Sequence, residues 1–257
     1  MSRPASSPIG RWLVRRGSPA LARLRLFCFA HAGGAASTFR DWPAELPPAI
    51  DVCAIQLPGR EGRIAEEPLT SLAATVPAVA GAIRPLLDVP FAFFGHSMGG
   101  LIAFELAREL RRTGAPQPSH LLVSGRRAPT VPTRKADIHA LPTPEFLRAI
   151  RDYDGTPAEV FENEQLLELI LPVLRADLTL TETYTYQPGP PLGMPVSAFY
   201  GREDPTVTAA DADAWRHQTT GAFRIHELPG GHFFLQTAQL QLLLAISEDL
   251  APLLLGR

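Results

Sequence analysis

The chain has 257 residues, a length that suits one α/β domain with a sizeable core. Hydrophobic residues make up 46% and charged residues 19%, which excludes a disordered chain, and a formal net charge of −2 argues against nucleic acid as the main ligand. Cys28 and Cys53 both lie in apolar runs, so they read as buried free thiols rather than a disulfide framework. No apolar stretch reaches the length of a membrane span. The first 25 residues are rich in Arg and lack acids, but their apolar content is too scattered for a signal-peptide core, and Trp12-Leu13 reads as ordered protein; a cytoplasmic protein is expected.

In chain order, residues 24–30, 52–57, 90–94 and 120–124 are short, nearly continuous apolar runs, the pattern of parallel strands covered on both faces by helices. After 90–94 comes the clearest helix, with Ala103, Leu106, Ala107 and Leu110 at i, i+3, i+4 and i+7 on one stripe and Gly114 as a stop. Strand patterns return at 196–200 and 223–228, and residues 240–250 form a last amphipathic helix. The alternation of strand and helix predicts a mostly parallel central sheet flanked by helices. It breaks between about 127 and 195, a region bounded by the Pro-bearing segments APTVP (128–132) and PGPPLGMP (188–195). Helical patterns around 144–151 and 162–184 lie inside it, with Leu166, Leu169, Ile170 and Val173 on one face and Pro172 expected to kink or end the first half. This region reads as a helical lid inserted into one domain spanning 1–257; extra packing helices with no gating role are the alternative.

The strongest local signal is Gly95-His96-Ser97-Met98-Gly99, a G-x-S-x-G placed between a buried strand and a helix. That context is the nucleophile elbow of an α/β-hydrolase, where small residues let strand and helix approach and leave the serine hydroxyl exposed. A serine hydroxyl needs a base. Of seven histidines, His232 lies in a Gly-rich loop between the last strand and last helix. His96 is expected to be splayed away by the turn, and His120, His139, His217 and His226 lie in no suggestive context. The imidazole needs an acid to fix its tautomer. Asp204, in Gly201-Arg202-Glu203-Asp204-Pro205, gives the order Ser, Asp, His; Glu203 and Asp177 are the competitors. Oxyanion donors are expected from the backbone N–H groups of Met98 and of Ala32, in the loop His31-Ala32-Gly33-Gly34. That loop lacks the G-x-G-x-x-G of a dinucleotide site. No His/Cys/Asp cluster has metal-ligand spacing, and no metal or redox cofactor is required.

From about Trp12 onwards the chain resembles the type II thioesterases that accompany polyketide synthases and nonribosomal peptide synthetases. The resemblance rests on HAGG (31–34), Phe39 and Trp42, QLPGREGR (56–63), GHSMGG (95–100), AFELAREL (103–110), SGRRAP (124–129), LRADLTLTETY (174–184), GREDP (201–205) and GGHFF (230–234). Ala30 departs from the Pro that usually precedes HAGG, a change at the oxyanion loop that leaves the catalytic positions intact. The resemblance implies hydrolysis of stalled or wrongly primed acyl groups from the phosphopantetheine arm of acyl or peptidyl carrier proteins. It places nucleophile, acid and base on Ser97, Asp204 and His232, and the oxyanion amides on Ala32 and Met98. Arg126, Arg127 and Arg134 are suggestive of an acidic partner. A carboxylesterase or chain-terminating fatty-acyl thioesterase would share every catalytic residue. A catalytically inactive hydrolase fold used as a binding module is the alternative from another class, and the complete triad argues against it.

Overall fold

The structure is a computed structural model that describes residues 8–16, 21–134, 136–151 and 163–255. Seven strands form one sheet: β1 (Leu13–Arg15), β2 (Leu24–Phe29), β3 (Ile50–Ile55), β4 (Phe91–His96), β5 (His120–Ser124), β6 (Val196–Gly201) and β7 (Phe223–Leu228), in the spatial order β1-β3-β2-β4-β5-β6-β7. Every neighbouring pair is parallel except β1 with β3.

Because side chains alternate along a strand, the apolar runs feed two cores at once. On one face Phe27, Phe29, Phe91 and Phe93 meet helices α1 (Leu72–Ile83) and α2 (Met98–Arg112). On the other, Leu24, Leu26, Cys28 and Phe94 meet Trp42 and the long C-terminal helix. Both cysteines are buried and free. The stripe Ala103, Leu106, Ala107 and Leu110 is buried as its spacing predicts. After β5 come α3 (Thr143–Arg151) and α4 (Glu164–Glu182); the C-terminal helix, α5, runs Gln239–Leu255. Phe146, Ile150 and Leu174 join α3 to α4 in a small third cluster with Ile138.

Several expectations change. The second apolar run pairs at Ile50–Ile55 rather than 52–57; just beyond it the Gln56 side-chain amide accepts the Ala36 N–H and donates to the Arg60 C=O. β7 is an edge strand with Ile225 exposed. Pro172 neither ends nor divides α4. The carbonyl its missing N–H would have served belongs to Glu168, which is exposed and can turn to water. Leu166 and Leu169 are exposed, so the buried side of α4 is Val173, Leu174, Ala176, Asp177 and Leu180. The N-terminal part of the 162–184 pattern, residue 162, lies outside the described residues. β1 and α1 escape the sequence reading: β1 is too short for a period, and α1 carries Pro77 inside it. Among the described residues, no helix is long and apolar enough to cross a membrane.

Candidate active site

Ser97 sits between the end of β4 and the start of α2 with φ 54° and ψ −113°, a left-handed backbone that few non-glycine residues adopt. Two glycines make this turn possible. A Cβ on Gly95 would lie 2.2 Å from the carbonyl oxygen of Gly99, and one on Gly99 would lie 2.1 Å from that of Phe29. No side chain fits either place, so strand, elbow and helix close onto one another only with glycine there.

The other two members come from loops at the same end of the sheet. Asp204 follows β6 and His232 follows β7, neighbours in the parallel sheet. Nε2 of His232 lies 3.0 Å from Ser97 Oγ, and Nδ1 lies 2.7 Å from Asp204 Oδ2. Asp204 Oδ1 accepts two bonds from Thr206, from its N–H at 2.7 Å and its hydroxyl at 2.7 Å. The Thr206 hydroxyl oxygen is also 3.1 Å from His232 Nδ1. Burial alone would raise the Asp204 carboxyl, but hydrogen bonding and charge from His232, with the Thr206 bonds, outweigh it and hold the group below its ordinary value. An ionised carboxylate only accepts, so Nδ1 carries the ring proton and Nε2 is left to accept from the serine hydroxyl.

The competing acids do other work. Glu203 accepts the Gly230 N–H, and its own N–H donates to Gly230 C=O at 3.1 Å, which pins the loop carrying His232. Asp177 is buried on α4, where it pairs with Arg60 at 2.7 Å and accepts the Gly33 N–H at 2.7 Å. His96 is not splayed away from the site. Its ring is fully buried 5.3 Å from that of His232, with Nδ1 2.9 Å from Ser124 Oγ. Burial, and then the charge of His232 and His31, holds it well below the usual histidine range. His31, whose ring lies 5.1 Å from Phe233, is lowered to about 4 by burial, with smaller effects from His232 and Arg60. Both rings are therefore neutral near pH 7 and add no positive charge beside His232. His120, His139 and His226 bond to Ser197, Glu182 and Asp249, away from the triad.

A cavity of about 380 Å³ opens over Ser97 and His232. Ala32 and Met98 line it together with Ile150 of α3 and Leu174, Leu178 and Thr181 of α4. Among the described residues, the N–H groups of Ala32 and Met98 have no protein acceptor, as oxyanion donors require. Arg126 and Arg127 also line the cavity, whereas Arg134 is paired with Asp211 at 2.6 Å. Thr206, His31 and Arg60 were not singled out as site residues in the sequence. Thr206 had a signal, since a residue two places after an Asp commonly closes an Asx turn.

The chain matches the thioesterase domain family over residues 24–250. It is 46% identical over 249 residues to the linear gramicidin dehydrogenase LgrE of Brevibacillus parabrevis, covering 96% of this chain and 95% of that protein. Among solved structures it is similar to RedJ, a thioesterase of the prodiginine biosynthetic pathway in Streptomyces coelicolor. That likeness has a TM-score of 0.84 and 41% identity, covering 96% of this chain and 91% of RedJ. It is also similar to BorB, the type II thioesterase of the borrelidin biosynthetic cluster, with TM-score 0.85 and 38% identity, covering 96% of this chain and all (100%) of BorB. The fold is thus that of the α/β-hydrolase thioesterases, and the chain belongs to the thioesterase domain family, whose members hydrolyse thioester bonds.

Proposed function

We propose that Ser97, His232 and Asp204 are the catalytic triad of a type II thioesterase that releases stalled or wrongly primed acyl groups from the phosphopantetheine arms of carrier proteins. The observation that carries this reading is the unbroken chain from Asp204 through His232 to Ser97, at 2.7 and 3.0 Å, opening into the cavity. His232 Nε2 takes the Ser97 proton as Oγ attacks the thioester carbonyl. The backbone N–H groups of Ala32 and Met98 hold the tetrahedral oxyanion. The carbon–sulfur bond then breaks, and His232 Nε2 passes its proton to the departing pantetheine sulfur, which leaves as the thiol and returns the imidazole to its neutral form. Water, deprotonated by the same nitrogen, attacks the acyl-serine, and the carboxylic acid departs as Ser97 recovers its proton.

In this reading residues 1–257 act as one hydrolase unit working in the cytoplasm, and 127–195 act as a lid whose α3 and α4 wall the acyl chamber. Carrier proteins are the partners; neither nucleic acid nor membrane has a part. RedJ and BorB are each a thioesterase of a biosynthetic pathway or cluster, which supports a similar place for this chain. The test compares acetyl, propionyl and longer acyl groups on a phosphopantetheinylated carrier with the same groups on an oxygen ester. Fast release of short acyl groups from the carrier is expected. Preference for the oxygen ester, or for long free acyl-CoA, would move the substrate to an esterase or chain-terminating thioesterase.

A further inference from the structure

Two sequence motifs with no place in the triad meet beneath the oxyanion loop. Arg60, from the PGRE segment, and Asp177, from the LRADL segment of α4, are 117 positions apart and form a bidentate pair: Nη1 to Oδ2 at 2.7 Å and Nη2 to Oδ1 at 2.8 Å. Their side chains are 6% and 1% exposed. Each partner also reaches the oxyanion loop. Asp177 Oδ2 accepts the Gly33 N–H at 2.7 Å, and Arg60 Nη1 donates to Gly34 C=O at 3.0 Å. Gln56 completes the bracket, accepting the Ala36 N–H and donating to Arg60 C=O, both at 3.0 Å.

The loop itself is a turn closed by Gly34 N–H to His31 C=O at 2.9 Å. Gly33 has φ +76° while Ala32 is not among the positive-φ residues, which is the pattern of a type II turn with Ala32 and Gly33 at its centre. Types I and II differ by a flip of the central peptide, here the one joining Ala32 to Gly33. In the observed turn its N–H faces the Asp177 carboxylate; in the flipped turn the Ala32 carbonyl would face that carboxylate instead and be repelled. The carboxylate therefore holds the Ala32–Gly33 peptide in one of two orientations, and with Arg60 on the Gly34 C=O it anchors the turn that carries the Ala32 N–H. Leu174, one turn before Asp177 on the same helix, packs where a Gly33 Cβ would lie, 2.5 Å from its Cδ2. A buried ion pair is weak evidence of a gain in stability, since desolvation offsets most of the attraction. Its geometry here points to a different role.

We propose that Asp177 and Arg60 are positioning residues for the oxyanion hole: the buried pair clamps the His31–Gly34 turn through the Gly33 N–H and the Gly34 C=O, fixing the position of the turn that presents the Ala32 N–H to the reacting carbonyl, and so couples α4 to catalysis. This rests on the triad and oxyanion roles given above. The variants are Asp177→Asn, which keeps the volume but leaves Arg60 without its counter-charge, and Arg60→Lys, which keeps the charge but cannot form the fork. Each is checked for folding by circular dichroism and thermal unfolding. It is then assayed on an acetyl thioester of a pantetheine analogue and titrated with a trifluoromethyl ketone whose Ser97 adduct carries an oxyanion.

The expected result for Asp177→Asn is a kcat lower by about 10- to 100-fold with KM changed less than about threefold, and ketone affinity weakened by a similar factor to kcat. Arg60→Lys should move the same two quantities in the same direction, and it stands as the test if Asp177→Asn does not fold. A folded variant with unchanged kcat and ketone affinity, or a loss confined to KM, overturns the positioning role. A wild-type protein inactive on the thioester would instead overturn the function on which the role depends.

Discussion

Asp204 holds Nδ1 of His232 at 2.7 Å, while its other oxygen is saturated by Thr206. That arrangement leaves the carboxylate no freedom to turn, and it fixes the imidazole with Nε2 toward Ser97. Asp204→Asn should lower kcat by orders of magnitude, about 10⁴-fold as in serine proteases with the equivalent change, because an amide can donate and so favours the wrong tautomer. Glu203→Gln should cost less than about tenfold, since Glu203 serves the loop backbone and not the ring. Steady-state kinetics on one thioester substrate separates the two; a larger loss from Glu203→Gln would assign the acid wrongly.

Thr206 supplies the hydroxyl that orients this carboxylate. Thr206→Val keeps the shape but removes the donor, and a bond to a charged acceptor is worth about 1.5–3 kcal/mol. Hydrolysis should fall by roughly tenfold or more, and Thr206→Ser should restore most of it. A Val variant with full kcat/KM would reduce Thr206 to a packing residue.

Much of this site is legible in the sequence, because its parts obey local rules. The elbow needs glycine at 95 and 99 for steric reasons that any tight strand-to-helix turn imposes, and Asp204 and His232 follow strand patterns in the order the fold demands. What escapes depends on distant pairing. Nothing in the spacing says that Arg60 meets Asp177, or that Glu203 faces a backbone amide while its neighbour faces a ring. The turn alone says nothing of the His96 ring, whose place is set by the His232 loop that packs against it. On α4, Leu166 and Leu169 share an apolar stripe with Val173, yet only the C-terminal half of the helix lies on the core.

The elbow glycines should be intolerant of any side chain. In Gly95→Ala and Gly99→Ala the new methyl meets backbone atoms that cannot yield independently of the sheet. Each should cost roughly 3 kcal/mol or more, seen as a large fall in thermal midpoint or loss of soluble protein. A variant within about 2 °C of wild type, roughly the shift that 1 kcal/mol produces in a domain of this size, would contradict the close approach of strand and helix.

Two acid-sensitive windows follow from buried groups. His31 and His120 are lowered to about 4, in each case chiefly by burial, so the unfolded chain binds protons the folded chain does not. Stability should fall as pH drops from about 6.5 to about 4, by up to about 1.4 kcal/mol per pH unit for each proton taken up. Asp249 lies lower: burial would raise its carboxyl, but bonds from His226, Ser197 and Arg224 outweigh that and bring it from 3.8 to about 2. Its contribution, about 2 kcal/mol, is present above pH 4 and lost toward pH 2. The stability difference between wild type and Asp249→Asn should accordingly shrink across that lower window. A constant difference would show that Asp249 is not held ionised by its partners.

The most direct test of the whole account is rapid-quench mass spectrometry of the protein mixed with an acetylated carrier protein. The expected result is one acetyl group appearing transiently on the peptide that contains Ser97, with both the adduct and hydrolysis abolished in Ser97→Ala. Hydrolysis near the wild-type rate in Ser97→Ala, or an acyl group carried on a different residue, would contradict it.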